Sequence, residues 1–432
     1  MKKIVFTSLL MLALGSMSAT ASDNAPKVKV GGFIRNFFVY DTRESLAGTE
    51  DFFYYVPRDI ELNADGEDIN QHSNFKFSAL TSRLWVDVKG YEYKGWDMAA
   101  RIEADFYSGL SATSKDPLTK SSLTGTAAFR LRQAFVTVSN YRWAFKAGQA
   151  WHPMAADMPH IFSLNTGAPF GPFSRTPQIS AEAKINNHFS LLLASMWQQQ
   201  YTSTGPYGAS ANYIRNGGAE FYLGANFKKD AFLARLGINA LSITPRVIDE
   251  NKRVLNESIM TFIPFFYAQY AKNDFSIRFK TVLAQGGEHL NLNGGYGVSG
   301  VLFDNRGYTY TPTLNSSSWL SMKYSLGELD FILFGGYVHN FGTTQPLLSD
   351  GEGSPVGFYF SKNSFEYLNS MWRVTPEIVY NFGKLSLGIE YECTSALYGD
   401  KSMGMNLEKG LYDKGLHQVT NNRVQTLVRF TF

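Results

Sequence analysis

The chain has 432 residues, of which 44% are hydrophobic, 15% aromatic and 18% charged, with a formal net charge of +3 and one cysteine. A mean hydropathy of −0.18 and the lack of any apolar run of about 20 residues exclude a polytopic helical membrane protein. One cysteine excludes a disulfide scaffold or a cysteine-rich metal centre, and the near-neutral charge balance leaves no electrostatic footprint for nucleic acid.

The first element is a leader. Lys2 and Lys3 precede an apolar stretch, Ile4 to Leu14, and Ser18-Ala19-Thr20-Ala21 supplies small residues at a cleavage site, the pattern of a secretory signal peptide. Residues 1–21 are therefore read as the signal, with a mature chain from about Ser22 forming one domain over 22–432. No cysteine follows the apolar stretch, so the leader is not of the lipoprotein type.

After Val28, segments with period-2 patterning alternate with polar, Gly/Pro-rich ones. Short connections fall at Gly90–Lys94, Ser139–Tyr141, Asn186–His188, Lys228–Asp230, Lys272–Asp274, Gly327–Glu328 and Gly383–Lys384. Long ones fall at Asp41–Asn74, Ser108–Gly125, Ala150–Arg175, Tyr201–Asn212, Thr244–Asn256, Gly286–Ser316, Phe341–Phe365 and Ala396–Gln418. This short-long rhythm predicts an all-β fold: a transmembrane antiparallel β-barrel of sixteen strands, with short periplasmic turns and long extracellular loops.

The strand faces agree. Arg101, Glu103 and Asp105 oppose Ile102, Ala104 and Phe106, and Arg373, Thr375 and Glu377 oppose Trp372, Val374 and Ile378. In lipid each such charge would cost roughly 2–4 kcal/mol at the midplane, so the charged face needs a wet lumen. Strands near Val30–Tyr40 and Phe189–Trp197 alternate poorly and their faces stay unassigned. Aromatics beside the short turns (Tyr91, Tyr93, Trp96; Tyr141, Trp143; Phe227, Phe232; Tyr270, Phe275; Tyr380, Phe382) match an interfacial girdle.

By parity the inward bases are Arg83, Arg101, Arg130, Arg132, Lys146, Lys184, Arg235, Arg278, Lys280, Lys323, Arg373, Arg423 and Arg429. The inward acids are Asp87, Glu103, Asp105, Glu182, Glu220, Asp330, Glu377, Glu390 and Glu392. The basic excess is about four charges by this alternation. Arg130, Arg132 and Lys146 form its densest patch, either free to attract anions or paired with Glu103 and Asp105 across strands.

Two loops carry candidate sites. Asp41–Asn74 holds nine acidic residues against Arg43 and Arg58. Within it, Asn63 to Asp68 offers oxygen ligands for Ca²⁺ but lacks EF-hand spacing. The loop therefore reads as a solvated outer segment, with an ion bridging it to lipopolysaccharide phosphates as the alternative. In Ala150–Arg175, four prolines stiffen the chain, Gly167 and Gly171 permit turns, and Phe162, Phe170 and Phe173 can anchor it to an inner wall. That composition predicts a constriction loop, with Asp157 and His160 facing Arg130 and Arg132 across the narrowest point and Arg175 at its end. His152 and His160 lack convincing metal spacing, so no metal is assigned. Ser163 with His160 suggests a barrel lipase, but no base-orienting partner or oxyanion hole is legible. Cys393, beside Glu392 on a strand, reads as a packed or lipid-facing thiol.

The last strand, Val424 to Phe432, is amphipathic and ends in Phe; it resembles the signal read by the outer-membrane assembly machinery. Phe129-Arg-Leu-Arg-Gln-Ala-Phe135, Gly148-Gln-Ala-Trp151, Asp157, Gly171-Pro172 and Arg175-Thr-Pro-Gln-Ile179 resemble stretches of the DcaP-like trimeric outer-membrane porins. The resemblance covers about residues 129–179 and implies a sixteen-stranded homotrimeric channel for small hydrophilic, often anionic, solutes, with lipid and lipopolysaccharide around it. Few residues separate Ala21 from the first strand, so the coiled-coil stalk of some members is not expected. Phosphate-selective and other general porins resemble the chain nearly as well. The resemblance implies no enzyme and no cofactor; a barrel lipase and an exported soluble sugar-binding β protein are the competing readings.

Overall fold

The structure, a computed structural model, describes residues 26–48, 52–107, 127–198, 203, 205–206, 219–303 and 306–432. The leader 1–21, the start near Ser22 and most of the second and fourth long loops lie outside the described residues.

Alternating Val, Ile, Phe, Tyr and Thr, residues that suit a pleated surface, form sixteen barrel strands. In chain order they are β1 (Lys27–Asp41), β2 (Asn74–Ser78 with Arg83–Tyr93), β3 (Trp96–Tyr107), β4 (Ala128–Ser139), β5 (Trp143–Trp151) and β6 (Arg175–Lys184). Next come β7 (Phe189–Met196), β8 (Glu220–Lys229), β9 (Phe232–Ile243), β10 (Ile259–Lys272) and β11 (Phe275–Gln285). The last are β12 (Tyr308–Leu326), β13 (Leu329–Thr343), β14 (Leu368–Phe382), β15 (Leu385–Tyr398) and β16 (His417–Thr431).

Each strand pairs antiparallel with its neighbours, and β1 pairs with β16 from Phe33↔Thr431 to Asp41↔Arg423. The sheet is thus closed, and closure leaves no edge in lipid with unpaired backbone groups. The expected sixteen strands are present.

Several details depart from the sequence reading. Gly90 lies in a bulge between Val88 and Tyr91, at φ +82°, and the turn comes later, at Lys94 and Gly95. A bulge accepts the positive φ that suggests a turn from sequence alone. β2 is interrupted: both halves run along β1, and between them Thr81 adopts φ +71°. β1 and β7 alternate poorly because their inward faces are themselves partly apolar. Phe37, Val39, Ala194 and Met196 point inward and are buried in a core that fills part of the lumen.

That core comes from inward-folded loops. Loop 152–174 after β5 contributes Met154, Phe162, Leu164, Phe170 and Phe173. The first long loop contributes Leu46, Phe52, Phe53, Tyr55 and Val56, carried on a separate two-stranded hairpin, Ser45–Gly48 with Phe53–Pro57. An exposed outer loop was expected there, and the hairpin is instead buried. The run Phe52-Phe-Tyr-Tyr-Val56 explains the difference, since so much apolar area is not left in water. The acidic part of that loop stays outside. Its Asp68 accepts from Arg43 Nη1 at 2.7 Å and from the backbone of Glu61 and Asn70. Outward-facing Ile102, Val136, Leu236, Ile389 and Val428 are exposed, and so are rings at the turn end: Tyr91, Tyr93, Tyr141, Trp143, Tyr270 and Phe382.

Candidate channel constriction

Loop 152–174 lies across the lumen and is fastened to the far wall by polar groups that the alternation turns inward. Lys280 on β11 donates to the carbonyls of Met154 (2.7 Å) and Asp157 (2.5 Å). Arg235 on β9 pairs with the Asp157 carboxylate at 2.8 Å, and Arg278 donates to the Met158 carbonyl at 2.8 Å. His160 bonds through Nε2 to Ser276, and its backbone N–H donates to Ser321 at 2.8 Å. Burial, with Arg278 and Lys323 close by, pushes the His160 imidazole down to about 4, so this loop residue is neutral at pH 7. Further along, the Phe162 N–H donates to Glu377 at 3.2 Å and the Asn165 amide to Glu392 at 2.7 Å.

The three loop phenylalanines act as anchors. Phe170 lies on Gly336 of β13, where an added Cβ would come within 2.4 Å of the ring, and Phe162 lies on Gly388 of β15, where it would come within 2.9 Å. Phe173 packs edge-on to Trp151, ring centroids 5.2 Å apart. The root of the loop is held as well: His152 and His289 both meet the fully buried Glu220 carboxylate, at 3.1 and 3.2 Å.

With the loop on the far wall, a cavity of about 370 Å³ remains against β1–β6 and β16. Its lining contains seven cationic side chains and no carboxylate: Arg35, Arg83, Arg130, Arg132, Arg175, Lys362 and Arg429. Apolar groups of the folded loops, among them Phe53, Met158, Leu164 and Phe173, complete it. Arg35 and Arg429 are register partners on β1 and β16. Neither has a carboxylate in ion-pair range among the described residues. Arg35 Nε instead donates to Thr81 at 2.7 Å, which is what the break in β2 makes possible. Arg130 forms two 3.0 Å bonds to Asp105, and Arg132 meets Glu103 at 2.8 Å and Asp105 at 2.6 Å. Arg83 lies 3.4 Å from Glu103. Arg130 and Arg132 are therefore both paired with Glu103 and Asp105 across the strands, the second of the two arrangements expected, while both side chains still face the cavity.

The other predicted positions divide in two. Arg101 faces inward nearer the turn end, bound to Asp87 and Glu103, and Lys146 faces inward over the Phe135 ring. Arg175 stacks on Trp151 at 4.9 Å and lines the cavity. Lys280, Arg373, Glu377 and Arg423, expected to line the pore, are sealed beneath the loops at 1%, 0%, 3% and 1% exposure. Glu103, Asp105, Arg235 and Arg278 serve mainly as partners for other side chains or for the loop. Alternation reports direction; it cannot report what later packs on top. Asp157 and His160 are held on the far wall by Arg235, Lys280 and Ser276, and neither is among the residues that line the cavity with Arg130 and Arg132.

Sequence reasoning missed Arg35, on a strand whose alternation is masked, and Lys362, in a long loop. No hydrolytic pair forms: Ser163 donates to Asn165 at 2.9 Å, and His160 goes to Ser276. Among the described residues, no three His, Cys, Asp or Glu side chains are placed to hold a metal ion.

The closed sixteen-stranded antiparallel sheet is the fold of solved bacterial outer-membrane porins. Within that class the chain is similar to the outer membrane channel DcaP of Acinetobacter baumannii, with a TM-score of 0.64, 16% identity, and 96% of this chain and 100% of that one covered. It is also similar to the anion-selective porin of Comamonas acidovorans (TM-score 0.52, 10% identity, 94% and 100% covered). The outer membrane protein OmpT of Vibrio cholerae, in its trimer form, is a third (0.51, 11%, 94% and 100%). No family model matches the chain and no curated protein matches its sequence.

Proposed function

We propose that the protein is an outer-membrane diffusion channel for small hydrophilic solutes that favours anions, assembled as a homotrimer and catalysing no reaction. The observation that carries the anion preference is the cavity wall, with seven cations and no carboxylate. Two of those cations, Arg35 and Arg429, are directly opposed across strands. Like charges so placed repel, and a passing anion relieves that repulsion at the narrow point; rings of basic side chains favour anions for the same reason. The trimer rests on the likeness to porin barrels, one of them solved in its trimer form. Lipopolysaccharide contact and insertion by the assembly machinery belong to the same reading.

The test is solute uptake by liposomes carrying the purified protein, using anionic, neutral and cationic solutes of equal size. The anion should enter fastest, and the double variant Arg35→Glu, Arg429→Glu should lose that advantage. Equal rates for the three solutes in the wild type would overturn the charge-selective reading, and no uptake at all would overturn the channel.

A further inference from the structure

We infer that the hairpin Ser45–Gly48 with Phe53–Pro57 is a second constriction element, seated in the barrel by the ring of Tyr54, so that Tyr54 sets the width of the pathway. The inference rests on the channel reading above.

Every residue of the two hairpin strands is buried, and the strand Phe53–Pro57 packs against β15 and β16. Tyr54 has no exposure, and two guanidinium groups lie over its ring, Arg373 of β14 at 4.5 Å and Arg423 of β16 at 4.8 Å. Cations over a ring are held by its quadrupole, strongly where water is excluded. Both arginines are themselves fixed. Arg423 makes two 2.8 Å bonds to Asp41, and Arg373 donates to Thr394 at 2.8 Å. They also reach the hairpin backbone, Arg423 at the Phe52 carbonyl (3.3 Å) and Arg373 at the Tyr55 carbonyl (3.4 Å). Tyr398 closes the seat by donating to the Pro57 carbonyl at 2.6 Å.

Among the described residues, the buried Tyr54 hydroxyl has no hydrogen-bond partner. The ring, then, does the holding. On the side away from this seat, Gly48, Phe53 and Tyr55 line the same cavity as Arg35 and Arg83. The Phe53 ring meets Phe173 of loop 152–174 at 5.2 Å, so the two inward loops brace each other and bound the pathway together. Two inward-facing arginines that alternation assigns to the pore wall thus serve as positioning residues for the hairpin.

The experiment is single-channel recording in planar bilayers of the full protein and three variants, with folding checked by the heat-modifiable band on gels. Tyr54→Phe keeps the ring and should conduct like the wild type. Tyr54→Leu stays apolar but has no ring, and should raise unit conductance by about twofold as the hairpin leaves its seat and the pore widens. Wild-type conductance in a folded Tyr54→Leu protein overturns the inference, as does a Tyr54→Phe protein that widens equally. If Tyr54→Leu does not fold, Phe53→Ala decides. It leaves the Tyr54 seat intact but removes the brace on Phe173, and unchanged conductance there overturns the inference. A wild type that conducts nothing contradicts the channel reading instead.

Discussion

Arg35 shows how one residue can join fold and function. Its guanidinium stacks beside Phe33 and Phe37, at 5.0 and 5.2 Å, and is tied to Thr81, yet it faces Arg429 with no acid between them. A sheet built for stability alone would place opposite charges there; in the proposed channel that cost falls on the cavity wall. His160 has a different task. Its folded pKa is pushed below the ordinary value of 6.5 to about 4, so the unfolded chain binds more protons between those limits. Stability from this group is therefore complete above pH 6.5 and falls as pH drops towards 4. Unfolding midpoints of His160→Gln and wild type should keep a constant separation above pH 7. Between pH 6.5 and 4 the wild type should lose ground to the variant. A separation that does not change with pH would show that His160 is not protonation-linked to folding.

Among the elements, loop 152–174 was legible for a physical reason. Its Pro and Gly residues limit the backbone, and its phenylalanines have to be buried against something. Which wall it would take was not legible, because the choice depends on Arg235, Lys280 and Ser276, on strands far along the chain. The hairpin had a signal in Phe52-Phe-Tyr-Tyr-Val56, but the acidic residues around it masked the inward turn. Arg35 was hidden because β1 faces packed loop on one side and lipid on the other, which erases polar alternation. Deleting residues 157–167 should enlarge conductance. It should also weaken anion preference, since it uncovers Glu377, Glu390 and Glu392, buried at 3%, 0% and 0% exposure. Conductance and selectivity both unchanged in that deletion, by single-channel recording, would mean that the loop does not bound the pathway.

At the scale of the whole molecule, the barrel was readable because its constraints are periodic. Alternation recurs along most of the sixteen strands, seven short and eight long connections alternate between them, and closure follows from the demand that no backbone group be left unpaired in lipid. Charge along the whole chain is nearly balanced, at +3, so the net figure says little about selectivity. The asymmetry arises on folding. Most inward acids are buried as partners of arginines or of the loop, while seven cations remain on the cavity wall. The most direct measurement is the reversal potential of the purified wild-type protein in a planar bilayer under a potassium chloride gradient. It belongs at low ionic strength, because screening reaches about 10 Å at 0.1 M. The predicted sign is that of a channel more permeable to chloride than to potassium; a potential of the opposite sign would contradict the assignment of the arginine wall as the selective element.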